Sequence, residues 1–161
     1  MKKLILVLED NADRREAMKA WLSERFGMYD HFFSDDPTEF LQQLRSRIKD
    51  VLVASLDHDL HERPDFNTDV TGMDVVDGLI GKHQPRFSIV LHTTNTQRGD
   101  VMQERLRTTG WSVSRVVPFD DLNWIPSEWH RAIKKAIQAS AVVETMCAGD
   151  DSKLLLEPVV V

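Results

Sequence analysis

Cysteine is nearly absent from this chain: Cys147 is the single one among 161 residues. One thiol closes no internal disulfide, so the sequence fits a reducing, cytoplasmic setting. Without a Cys pair or an HExxH spacing, nothing supports a structural zinc site. Long hydrophobic runs are missing too. Behind Met1-Lys2-Lys3 the apolar stretch Leu4–Leu8 lasts five residues before Glu9 and Asp10, too short for an export signal or a membrane span. Positive charge is in deficit. The net charge of −6 argues against broad, sequence-blind DNA binding, a mode that needs a basic face. A Walker A loop is lacking, as is a GxGxxG after the first strand, which removes two common styles of nucleotide binding.

What is there reads as alternating strands and helices. Leu4–Leu8 is a continuous apolar run, as expected of a strand covered on both faces, and Val51–Ala54 is another, opening a strand over Val51–Leu56. Phe87–Leu91 makes a further strand. Tyr29–Phe33 and Trp111–Val117 are more polar, which suits sheet edges. Between them lie helical stripes: Met18, Leu22 and Phe26, then Phe40, Leu41, Leu44 and Ile48. Val75, Val76, Leu79 and Ile80 form a third stripe, and Val101, Met102 and Leu106 a fourth. The last carries Trp129, Ile133, Ala136, Ile137 and Ser140. Trp21 and Trp129 sit on such stripes and point to the core. Asp13 and Glu16 are spaced as a capping box for the first helix. Asp36-Pro37-Thr38-Glu39 starts the second, and Thr71 with Asp74 caps the third.

Five strands alternating with five helices predict an α/β fold with a doubly wound parallel sheet. With right-handed crossovers the flavodoxin-like order 2-1-3-4-5 is expected, helices on both faces. The domain is expected to span residues 1–143. Gly149-Asp150-Asp151-Ser152 predicts a helix stop, and 144–161 forms a tail with an apolar end, Leu154–Val161, suited to pairing on a sheet edge. A polar loop between Asp57 and Thr71 holds His61, Arg63 and Asp65, and loops of that length are often functional or mobile.

In that topology the carboxyl ends of strands 1, 3 and 4 open on one rim, where open α/β sheets bind ligands. The rim receives Glu9 and Asp10, then Asp57, His58 and Asp59, then His92, Thr93, Thr94 and Asn95. Neighbouring ionised carboxylates repel, so such a group persists most easily with a cation or shared protons. Glu9, Asp10, Asp57 and Asp59 are therefore candidate metal ligands, with Mg²⁺ or Mn²⁺ suited to an oxygen-rich set.

The acidic pair after strand one, the Asp after strand three and the hydroxyl after strand four resemble the response-regulator receiver domain. In that family the acidic residues hold Mg²⁺ and the Asp accepts a phosphoryl group. One departure stands out: receivers place a Lys before the Pro that follows strand five, and here Val117 precedes Pro118. A fuller resemblance is to a receiver-like variant described as cyclic-phosphate-processing. Ser55-Leu56-Asp57-His58-Asp59-Leu60, Thr71-Gly72 and His92-Thr93-Thr94-Asn95 match its motifs. That resemblance implies work on cyclic or terminal phosphates, such as an RNA end or a phosphorylated small molecule.

The chemistry required is a stabiliser of charge on phosphate oxygens, a base for water and an acid for the leaving alkoxide. Asp57, His58 and His92 are the candidate catalytic residues. His92, at the end of the neighbouring strand, is the first choice for proton transfer. Asp59 is a candidate to orient an imidazole, and Arg14, Thr93, Thr94 and Asn95 are candidates for holding phosphate or ribose oxygens. The alternative is a receiver-like module without turnover, which binds a partner protein or a second copy through an edge strand or the tail.

Overall fold

The computed structural model describes residues 2–60 and 70–151. Its elements are β1 (Leu4–Leu8), α1 (Ala12–Phe26), β2 (Asp30–Ser34), α2 (Pro37–Ser46), β3 (Val51–Leu56), α3 (Gly72–Lys82), β4 (Ser88–His92), α4 (Thr96–Thr108), β5 (Val113–Val116) and α5 (His130–Asp151). One turn of π-helix, Ile125–Trp129, leads into α5. The five strands are all parallel, in the order β2-β1-β3-β4-β5. This is the flavodoxin-like arrangement expected of the pattern.

Strand alternation divides the core into two layers. Leu4, Leu6 and Leu8 pack with Phe40 and Leu44 of α2, Val75 and Leu79 of α3, and Met102 and Leu106 of α4. Ile5 and Val7 face the other way, with Met18 and Leu22 of α1, Trp129 of the π turn and Ile133 of α5. β1, β3 and β4 are buried along their whole length, while β2 and β5 are only partly so. α5 is also tied by hydrogen bonds: Ser140 Oγ donates to the Leu52 carbonyl at 2.7 Å and accepts the Ser88 amide at 3.1 Å.

Three expectations change. α1 begins earlier than Asp13 and Glu16 suggest, because Asn11 is its cap and accepts the Arg14 amide at 2.9 Å. α5 runs to Asp151, through Gly149 and Asp150, where a stop is expected. The domain's last helix thus passes the boundary expected near residue 143. Trp21 is only partly buried, against His130 and under the Arg25 guanidinium. His61, Arg63 and Asp65, and the apolar end Leu154–Val161, lie outside the described residues.

Candidate functional site

The carboxyl ends of β1, β3 and β4 deliver their residues to one rim, held there by a close approach of α3. Thr71 and Asp74 form the capping box that starts this helix. Its first residue, Gly72, presses against the site: its amide donates to the His58 carbonyl at 3.0 Å. A Cβ on Gly72 would lie 1.9 Å from the Asp57 carbonyl oxygen. Only glycine fits there, and this is the physical reason for the Thr71-Gly72 pair.

Glu9, Asp10 and Asp57 bring ligand atoms within 4.8 Å of one another, and all three residues are buried. Two of them have a fixed arm. Glu9 Oε1 accepts the Asn11 amide at 2.9 Å, which ties β1's end to the start of α1. Asp57 Oδ1 accepts the His58 amide at 2.7 Å. Glu9 Oε2, by contrast, is a buried oxygen without a hydrogen bond. Arg14 Nη1 stands 3.8 Å from Glu9 Oε2 and 3.9 Å from Asp57 Oδ2, its guanidinium over the Trp124 ring. Burial pushes the Asp57 carboxyl up to about 7, helped by the charge of Glu9 and opposed by His92, the His58 amide and Arg14. Three buried carboxylates with one distant guanidinium and an unpaired inward oxygen are a donor set that fits a hard divalent cation.

Asp59 is not part of this cluster. Its Oδ1 lies 2.5 Å from His58 Nδ1, and Asn95 Nδ2 reaches the same oxygen at 3.5 Å. A carboxylate at Nδ1 favours the proton there and leaves Nε2 as the nitrogen with the free lone pair.

His92 goes elsewhere. Strand parity turns it, like Val90, toward the α1 and α5 face. Its ring is fully buried, with Nδ1 2.8 Å from Ser55 Oγ and Nε2 3.3 Å from Glu9 Oε2. The ring therefore lies behind the carboxylates, away from solvent. Thr93 is buried as well, its Oγ1 accepting the Asn95 amide at 3.2 Å, and Asn95 caps α4 through the Arg98 amide at 3.1 Å. Thr94 is the exposed hydroxyl of the set.

Two tryptophans complete the site, and sequence patterning does not single out the first. Trp124 lies with its ring 6.0 Å from that of His92 at 24°. Trp129 Nε1 donates to Ser55 Oγ at 2.9 Å. At 3.6 residues per turn, side chains five apart stand about 140° from each other. The Trp129 amide instead bonds the Trp124 carbonyl at 2.9 Å, and this wider turn brings both indoles toward one face. Beside the rim is a hollow of about 290 Å³ lined by Asn11, Arg14, Phe119, Asp120 and Asp121 among others.

Comparison with known proteins decides the family. The model of the cyclic-phosphate processing receiver domain matches residues 4–108. The chain belongs to that family. Among solved structures, this receiver domain is similar to the bacteriophytochrome response regulator AtBRR: TM-score 0.58, 23% identity, 84% of this chain and 93% of that one covered. A receiver domain from Rhodospirillum rubrum aligns at TM-score 0.59 and 18% identity, covering 86% and 94%. The Mn²⁺-bound form of response regulator Rcp1 aligns at 0.56 and 16%, covering 76% and 86%. These likenesses establish the shared fold. No curated protein matches. The family match ends before β5, so Val117-Pro118, where receivers carry Lys-Pro, lies beyond it.

No helix among the described residues is long and apolar enough to cross a membrane.

Proposed function

We propose that this receiver domain is a metal-dependent phosphoesterase acting on cyclic or terminal phosphates, with 2′,3′-cyclic phosphate ends of RNA as the substrate class. The observation that carries the reading is a histidine–carboxylate pair beside a buried carboxylate cluster: His58 on Asp59 at 2.5 Å, next to Glu9, Asp10 and Asp57. The family's description and the Mn²⁺ bound by the similar Rcp1 support it.

Glu9, Asp10 and Asp57 would hold one Mg²⁺ or Mn²⁺. When bound, such an ion supplies Lewis-acid stabilisation of charge on phosphate oxygens. The remaining work falls to the chain. In ring opening, a bond forms from phosphorus to a water oxygen and the bond to one ribose oxygen breaks. The proton lost by water ends on that ribose oxygen. His58 Nε2 is the group to move it, because Asp59 fixes Nδ1 and the ring lies at the rim. Arg14 and Thr94 would take phosphate oxygens. Thr93 and Asn95 are engaged in the turn that starts α4, so they shape the rim instead.

Wild type and His58→Ala should be assayed on cyclic mononucleotides and cyclic-ended oligonucleotides with Mg²⁺, Mn²⁺ and Zn²⁺. Loss of general acid–base help predicts a rate ~10²–10⁴-fold lower in the variant. No turnover by wild type on any substrate, or an unimpaired His58→Ala, sinks the reading. A second reading then takes over, a receiver-like module that binds a protein partner. Val117 and Phe119, each 49% exposed after β5, favour it.

A further inference from the structure

Behind the carboxylates a line of buried polar groups runs in from the turn before α5. Trp129 Nε1 meets Ser55 Oγ at 2.9 Å, Ser55 Oγ meets His92 Nδ1 at 2.8 Å, and His92 Nε2 faces Glu9 Oε2 at 3.3 Å. All four residues are fully buried. The ends of this line differ in kind: an indole N–H, which can only donate, and a carboxylate, which as an anion can only accept.

That polarity constrains the middle. Trp129 uses one lone pair of Ser55 Oγ, and the hydroxyl's hydrogen is free to go to His92 Nδ1. A neutral imidazole accepting at Nδ1 carries its proton on Nε2, facing Glu9. The other tautomer would leave a bare lone pair 3.3 Å from a carboxylate oxygen in a fully buried site, where the repulsion is weakly screened. Rotation is restrained too, since Trp124 covers one face of the ring. Nε2 of His92 and Oε2 of Glu9 are both buried and make no hydrogen bond, standing 3.3 Å apart without the alignment of one.

We propose that Trp129 and Ser55 are positioning residues that lock His92 as its Nε2–H tautomer and, through it, hold Glu9 Oε2 against Asp10 and Asp57 for a divalent cation. The last link rests on the metal reading above; the tautomer lock does not. The buried serine that follows Ala54 in β3, and the tryptophan at the end of the π turn, thereby act on a cation they do not touch. Groups that support a ligand in this way typically change metal affinity ~10–100-fold when removed.

The test uses ¹⁵N-labelled full-length protein. In metal-free wild type, the two ring nitrogens of His92 should report a protonated Nε2 and an unprotonated Nδ1. Ser55→Ala should mix or invert the tautomers and weaken Mn²⁺ binding by calorimetry ~10–100-fold. Trp129→Phe keeps an aromatic ring in the core and removes only the N–H, and should shift both readouts in the same direction. Ser55→Thr, which keeps the hydroxyl, should restore them. A wild-type ring protonated at Nδ1, or a Ser55→Ala protein with unchanged tautomer and affinity, overturns the proposal. Absence of any divalent-cation binding by wild type defeats the metal reading and the proposal's last link, while the tautomer measurement still decides the lock.

Discussion

Replacing Gly72 by alanine should lower stability, against the usual direction of that change. In a helix, Gly→Ala normally stabilises by up to ~1 kcal/mol, because the unfolded chain loses freedom. At Gly72 the added methyl would sit 1.9 Å from the Asp57 carbonyl oxygen and 2.9 Å from its carbon, when contacts under 3.0 Å force something to move. The atoms met are backbone, at the end of a strand buried on both faces, so they have little room to yield. Overpacking of this kind costs ~1–3 kcal/mol, and moving α3 away also strains the 3.0 Å bond from the Gly72 amide to His58, worth about 1 kcal/mol. Destabilisation by ~1–3 kcal/mol remains after the helix gain, a fall in Tm of roughly 2–10 °C for a domain of this size. Gly81, in the same helix, has nothing within 4 Å of its would-be Cβ. Gly81→Ala should therefore gain ~0.5–1 kcal/mol. Urea unfolding of the two variants beside wild type makes the comparison. If Gly72→Ala is as stable as wild type, or more so, α3 does not clamp the site in the way described.

Two further outcomes follow from the carboxylates. The Asp57 carboxyl, raised from 3.8 to about 7, binds its proton more tightly in the folded chain, so its contribution to stability is full below about 4 and lost as pH rises to about 7. The metal-free protein should lose up to ~4 kcal/mol across that window by denaturant titration, and Asp57→Asn should flatten the slope; an equal slope in the variant would remove Asp57 as its source. With acetyl phosphate and Mg²⁺, intact mass should show no stable adduct on Asp57, since Val117 in place of Lys removes a contact worth ~1.5–3 kcal/mol to the phosphorylated state. A persistent adduct accompanied by a change of oligomeric state would restore the ordinary phospho-switch.

The sheet order was legible because burial on both faces leaves a mark: β1, β3 and β4 are predominantly apolar, and the strands with Asp30, His31, Ser114 and Arg115 suit the edges. The rim residues were legible for the same reason, as everything chemical sits directly after a strand. Depth was harder. A histidine ending a strand can face the rim or the core, and only the parity of Val90 and His92, set beside Trp124, tells which. Trp124 left no trace because a π turn breaks the period that marks a helical face. The cap was ambiguous because Asn11 and Asp13 both suit the position. Gly72's role is a contact between α3 and β3's end, and no local pattern records a contact between distant segments.

The site's charge balance sets this chain apart from a receiver with Lys before its last Pro. Val117 is 49% exposed, and among the described residues the guanidinium beside Asp57 comes instead from α1, as Arg14. A partly solvated pair at 3.9 Å contributes only ~0–1 kcal/mol, while each buried carboxylate costs several to keep ionised. Arg14 therefore cannot balance Glu9, Asp10 and Asp57 by itself. A proton or a divalent ion would relieve the repulsion, and the raised Asp57 carboxyl takes up the proton in the metal-free chain. A proton and a divalent ion would compete for that carboxylate. A site that keeps its positive groups at the margin, and its centre negative, is built to be completed by what binds there.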